Sequence, residues 1–161
     1  MDTQPSTEPL DELDARLLLL LADEPRLGVL ECSRRLGVAR GTVQARLDRL
    51  VKIGALRGFP PNLDLPALGY TLTAFVTLQI SQGARQGVSD RLRAIDEVCE
   101  AHATTGDADL LVRLVAKSND DLQRVIDEIV DVGGVERTST VIALSTPIPS
   151  RVRPLLARLV P

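Results

Sequence analysis

The decapeptide PPNLDLPALG at residues 60–69 divides the chain into two textures, and no regular element can run through it. Its prolines lack the backbone N–H that helix interiors and central strands need, and each pushes the preceding residue out of helical geometry. Before it, apolar residues recur every three or four positions; beyond it they alternate or gather in β-branched runs. The chain therefore reads as a helical part and a mixed part joined by a linker. At 161 residues and 44% hydrophobic content, both parts can bury a core.

In the first part Leu13, Leu17, Leu20 and Leu21 mark a helix, with Asp11, Glu12 and Asp14 in its first turn, where the helix dipole favours acids. It ends before Pro25. VLECSRRLG follows, with Val29, Cys32, Ser33 and Leu36 on one side and Gly37 as a left-handed stop. ARGTVQARLDRLVKIG then places Val43, Leu47 and Leu50 inward and closes at Gly54, and ALRGF at 55–59 reads as a short strand.

In the second part YTLTAFVTLQI is a strand, with Leu72, Ala74, Val76, Leu78 and Ile80 alternating, and GVSDRLRAID a helix with Val88, Leu92 and Ile95 inward. VCEAHATTG and ADLLVRLVAK are strands about a Gly106-Asp107 turn. Ser118, with Asp121 three residues on, opens a helix that buries Leu122, Val125, Ile126 and Ile129, and VERTSTVIALST is a last strand. The order β-α-β-β-α-β is the split βαβ arrangement, a four-stranded antiparallel sheet carrying two helices on one face. The expected organisation is α+β: a disordered tail at 1–9, a helix-turn-helix unit at 10–59, a linker at 60–69, a ferredoxin-like domain at 70–146 and a C-terminal tail at 147–161. That tail, with Val152, Leu155, Leu156 and Leu159 between arginines, reads as a short helix docking on its own or a partner's surface. It is too brief and too broken by Pro154 for a membrane anchor.

Composition narrows the function. The chain has no Trp, and Phe59, Phe75 and Tyr70 are its aromatics, which disfavours single-strand binding by base stacking. Net charge is −3 but unevenly spread. Residues 1–31 carry eight acidic and two basic side chains; residues 32–59 carry seven basic ones against Asp48 alone. Cys32 and Cys99 read as reduced, buried thiols, and no cysteine cluster, HExxH, Walker loop or Gly-x-Ser-x-Gly motif points to a metal or a nucleophile. The start MDTQPSTEPL does not resemble a signal peptide, and the longest apolar run, 17–22, cannot span a bilayer, so a cytoplasmic protein is expected.

The basic patch lies on the third helix and the end of the second. A helix-turn-helix lays its second helix in the major groove with N-terminal residues toward base edges. With Val43, Leu47 and Leu50 inward, the far side offers Gly41, Gln44, Ala45, Asp48 and Lys52, flanked by Arg40, Thr42, Arg46 and Arg49, with Arg35 on the preceding helix. Arg40 and Gln44 can make bidentate contacts to guanine or adenine, Thr42 can meet a phosphate or a thymine methyl, and Gly41 and Ala45 allow close approach. The flanking arginines are expected over phosphates.

LDELDARLLLLLADEPR, LGVARGTVQARLDRLVKIGALRGF and NLDLPALGY resemble the N-terminal half of the Lrp/AsnC transcription regulators, matching its pattern at Leu10, Asp11, Asp14, Asp23, Arg26, Gly37, Val43, Arg46, Leu47, Arg49, Leu50, Gly54 and Gly58. HATTGDADLLVRLVAKS and GGVERTSTVIAL resemble its ligand-binding half, with Gly106 and Asp109 in a Gly-x-x-Asp turn. The resemblance implies a winged helix-turn-helix joined by a hinge to a ferredoxin-like domain. It implies double-stranded DNA as a partner, dimers formed through the sheet that assemble further to tetramers or octamers, and an amino-acid effector at the contact between dimers. By position it puts that effector near Thr104, Gly106, Asp107 and Asp109, with Thr138 and Thr140 across the sheet. A glycine turn exposes N–H groups for a carboxylate, and an acid can hold the ammonium.

Family members usually carry Ser where this chain has Gly28 and Ala39, the N-caps of the second and third helices. Gly28 loses little, but Ala39 forgoes about 0.5–2 kcal/mol and leaves N–H groups open to a phosphate. Siroheme decarboxylases resemble the same architecture, yet acid–base work on a tetrapyrrole favours several histidines. His102 is the only one, read as packed or beside the ligand loop. A third alternative, an effector-sensing partner that no longer binds DNA, fits the basic face poorly.

Overall fold

A computed structural model describes residues 9–160. In chain order the elements are α1 (Glu12–Asp23), α2 (Val29–Leu36), α3 (Arg40–Lys52), β1 (Leu72–Ile80), α4 (Arg85–Leu92), β2 (Val98–Ala103), β3 (Leu110–Ala116), α5 (Asn119–Val130), β4 (Val135–Ala143) and α6 (Arg153–Ala157), with one 3₁₀ turn at Pro66–Leu68 in the linker. The chain separates into two units: one comprises the chain up to Pro61 together with the segment from Ile148 onward, the other is Asn62–Pro147. The tail expected at 1–9 lies outside the described residues except for Pro9.

The first unit closes around Leu17, Leu21, Cys32, Leu36, Val43 and Leu50, which are the 3.6-period stripes of α1, α2 and α3 brought together. Asp11 caps α1 and receives the Asp14 N–H at 2.9 Å, while Asp14 receives the Asp11 N–H at 3.2 Å, a capping box built from two aspartates. α2 ends as the sequence predicts, at Gly37 with φ +68°, a conformation costly for any residue with a Cβ. Neither Gly28 nor Ala39 gives its helix a side-chain cap.

The strand expected at 55–59 does not form. The Leu56 N–H donates to the Leu50 carbonyl at 3.0 Å, folding this segment back over the end of α3. Leu56 packs against the trihelical core, and Pro60 and Pro61 follow at once without ladder donors. The helix-turn-helix thus stands without a wing strand of its own among the described residues.

The second unit is the expected four-stranded antiparallel sheet, in the order β2-β3-β1-β4. Ala74, Val76 and Leu78 of β1 and Leu110, Val112 and Leu114 of β3 form one buried layer with Val88 and Leu92 of α4 and Leu122, Val125 and Ile129 of α5. Ser118 caps α5, accepting the Asp121 N–H at 3.1 Å. Helices cover one face, and the other presents Phe75 beside its register partner Val141, exposed by 38% and 65%.

Two smaller expectations change. Cys99 is exposed rather than buried: the register jumps between Val98 and Glu100, so Cys99 is the extra residue of a bulge. His102 is exposed too, 3.4 Å from the Glu100 carboxylate.

Candidate nucleic-acid interface and ligand cavity

α3 offers its first turn to solvent because Val43 and Leu50 turn the opposite side into the core. Arg40, Gly41, Thr42, Gln44 and Ala45 are all exposed there, under an N-terminus without a side-chain cap. Gln44 Nε2 donates to Asp48 Oδ1 at 2.9 Å, which holds its amide along the outer face. Among the described residues no ion pair engages Arg40, Lys52 or Arg57, so these cations remain available to an anion.

The other three arginines of the expected interface are differently placed. Arg46 and Arg49 turn back onto α1. Asp14, wholly buried, accepts from Arg46 Nη1 at 3.2 Å and from Arg49 Nη1 at 2.6 Å, and Arg46 also pairs with Asp11. The bond from Asp11 strengthens the Arg46 cation further, and the Asp14 N–H, followed by Arg46, holds the Asp11 carboxyl below its ordinary range. Arg35 is tied to Glu24, and to Glu31 at 3.0 Å, which raises its already high pKa. In the structure Arg46 and Arg49, which the sequence places on the flank of α3 and leads one to expect over phosphates, fix α3 to α1, and Arg35 fixes α2 to the turn after α1. Asp14 is the residue whose role the sequence reading missed. Its spacing held the signal, because it falls on the same helical face as Leu17 and Leu21, where a solvated acid does not belong.

The second unit carries a cavity of about 490 Å³ on the open face of its sheet, beside the β2–β3 turn. Of the residues that the resemblance points to, Thr104, Asp107 and Thr138 line it, together with Thr77 and Gln79 of β1, Leu111 of β3 and Arg137 and Ser139 of β4. Register explains the grouping, since Thr77 faces Ser139 and Gln79 faces Arg137 across the β1–β4 ladder. The turn is pinned: Thr104 Oγ1 donates to the Ala108 carbonyl at 2.7 Å and Gln79 Nε2 to the Asp107 carbonyl at 2.7 Å. Gly106 sits in that turn at φ +101°. Asp109 does not line the cavity; its carboxylate accepts the Ile80 N–H at 2.8 Å and lies 3.5 Å from Arg85. Thr140, opposite Val76, is also outside the lining. Arg137 and Asp107 are opposite charges lining the same cavity, with no ion pair among the described residues. Such a pair suits a small zwitterion, the guanidinium taking a carboxylate and the carboxylate an ammonium. Neither Arg137 nor Gln79 was singled out from sequence, because strand register is what brings them to the turn.

Comparison with known proteins matches both units. Residues 10–51 fit the model of the AsnC-type helix-turn-helix domain and residues 73–153 that of the Lrp/AsnC ligand binding domain. The chain is 33% identical over 138 residues to the HTH-type transcriptional regulator FL11 of Pyrococcus horikoshii, covering 86% of this chain and 91% of that protein. It is 30% identical over 148 residues to the regulatory protein AsnC of Escherichia coli, covering 90% and 97%. The structure of E. coli AsnC superposes with a TM-score of 0.85 at 27% identity, over 91% of this chain and all of that one. A Neisseria meningitidis transcriptional regulator in complex with L-Met shares the fold, with a TM-score of 0.80 at 24% identity over 88% and 94%.

Proposed function

The chain belongs to the Lrp/AsnC family of transcription regulators, with a helix-turn-helix domain and a ligand-binding domain, and from that premise we propose how it meets DNA and what it senses. α3 enters the major groove with Arg40, Gly41, Thr42, Gln44 and Ala45 toward the bases, while Arg35, Arg46 and Arg49 hold the helices that present them. The observation that carries this reading is the division of the arginines. Those bound to Glu24, Asp11 and Asp14 already have carboxylate partners within the chain, and Arg40, at the exposed first turn, is unpaired among the described residues. A bidentate base contact is worth about 1–3 kcal/mol. Arg40→Ala is thus expected to weaken binding to a duplex selected from random DNA by roughly 5- to 150-fold and to relax preference at one base pair. Equal affinity and unchanged base preference for Arg40→Ala and Gln44→Ala would remove α3 from the bases.

The open sheet face, where Phe75 and Val141 stand exposed side by side, is the proposed dimer face. The polar cavity is the proposed effector site and an amino acid its ligand class, the class named in the Neisseria complex. We assign the carboxylate to Arg137 and the ammonium to Asp107, and place the site at the contact between dimers. Thermal shift against the common amino acids tests this. A ligand at ~100 times its Kd adds about 2.7 kcal/mol, and Arg137→Ala should abolish the shift that the wild-type chain shows. No shift with any amino acid would refute the ligand class.

A further inference from the structure

The segment from residue 148 to residue 160 does not stay with the sheet it leaves. β4 ends at Ala143, and the chain runs on through Pro147 and Pro149 into α6, which packs on α1 in the first unit. The match to the ligand-binding domain continues to residue 153, so family boundaries alone assign the start of this segment to the wrong unit.

Two kinds of contact fix it. Arg153 Nε and Nη2 donate to the two carboxylate oxygens of Asp23 at 3.0 and 2.9 Å, a bidentate pair at the C-terminal end of α1. Val152 and Leu156 form one wall of an apolar cavity of about 340 Å³, facing Leu18, Leu21, Leu56 and Phe59. Charge agrees with the docking, since residues 147–160 carry Arg151, Arg153 and Arg158 and no acid, whereas α1 and its flanks carry Asp11, Glu12, Asp14, Asp23 and Glu24. Both stretches that cross between the units, 60–69 and 144–152, contain two or more prolines and are correspondingly stiff.

We propose that the C-terminal segment is a second tether, which anchors the DNA-binding unit to the ligand-binding unit at two points of the chain and restricts its swivel about the 60–69 linker. The consequence for DNA rests on the reading of the protein as a dimer that engages two half-sites. Two recognition helices that must land together gain from every rotation denied to them beforehand, because the second landing is set by effective concentration. One helix landing alone gains nothing.

The test lengthens the tether without undocking it. Residues 145–150 are replaced by a flexible Gly/Ser loop of about 15 residues, leaving Val152, Arg153 and Leu156 in place. The full-length variant is compared with wild type on two duplexes recovered by selection from random DNA, one with two half-sites and one with a single half-site. The spread of distances between spin labels on Cys99 and on Arg16→Cys, in protein diluted with unlabelled chain, reports the swivel directly. The expected result is an unchanged melting temperature, unchanged single-site affinity, about tenfold weaker two-site binding and a broadened distance distribution. Arg153→Ala combined with Leu156→Asp, which undocks α6, should broaden the distribution in the same way. A distribution as narrow as wild type in both variants overturns the tether. If no duplex is selected, the DNA reading fails by itself, and the label distances still decide the tether.

Discussion

Asp14→Ala is the substitution that most directly tests how the recognition helix is held. The Asp14 carboxylate is wholly buried and accepts from the Asp11 N–H, Arg46 and Arg49 at 3.2, 3.2 and 2.6 Å. Removing one partner of a buried ion pair costs about 3–5 kcal/mol, chiefly because the other charge stays buried without it. Here the surviving side chains can reach water, Arg46 being 30% and Arg49 27% exposed, and Arg46 keeps Asp11. The expected loss is therefore about 2–3 kcal/mol, at or below the lower end of that range. In a unit of this size each kcal/mol moves Tm by about 4–8 °C, so the transition of the helical unit should fall by roughly 10–20 °C. Circular dichroism melting of the full chain reads this, and Asp14→Asn, which keeps the shape and one acceptor, should lose about half as much. A shift under about 3 °C for Asp14→Ala would mean that the two arginines hold α3 no better through Asp14 than through water.

Three further outcomes follow from local chemistry. Ala39→Ser supplies the missing cap of α3 and should add about 0.5–2 kcal/mol, visible as a higher Tm; unchanged melting would show that the bare helix end carries no penalty. The Asp11 carboxyl lies below its ordinary 3.8 in the folded chain, so it contributes stability that is present above that value and lost as pH falls through the lower folded value. An acid titration of unfolding should therefore weaken the helical unit below about pH 4, and Asp11→Asn should flatten that limb while leaving the neutral-to-alkaline side alone. Native protein should expose one rapidly reacting thiol, Cys99; Cys32, whose pKa burial raises, should react only on unfolding.

Much of the fold was legible because it rests on period and punctuation. Alternation along β1, the 3.6-residue stripes of α4 and α5, the Ser118 cap and the Gly37 stop are each local patterns, and the structure has each of them. What the sequence concealed depends on partners far away in the chain. An arginine on the flank of α3 looks the same whether its partner is a phosphate or Asp14, 32 or 35 residues earlier. Asp109 looks like a turn acid until strand register hands it the Ile80 N–H. The 55–59 segment has strand-like residues but no neighbouring strand among the described residues, and a backbone without a ladder partner turns back instead. In the cavity, Thr104, Asp107 and Thr138 are positions that the family resemblance points to, while Gln79 and Arg137 reach it through β1–β4 pairing.

The internal commitment of Arg35, Arg46 and Arg49 also sets how many counterions the protein can displace. A count of positive residues in 32–59 suggests seven cations facing DNA, but only those without an internal carboxylate partner can neutralise a phosphate and release its condensed ion. Arg34, 3.7 Å from the Glu31 carboxylate, is paired as well; with Arg40, Lys52 and Arg57 left to do so, the logarithm of affinity should fall with that of salt at a slope of about −3 per DNA-binding unit, not about −6. On the proposed mode of binding, such a regulator would depend less on ionic strength than its sequence suggests, and a larger share of its grip on DNA would come from base edges.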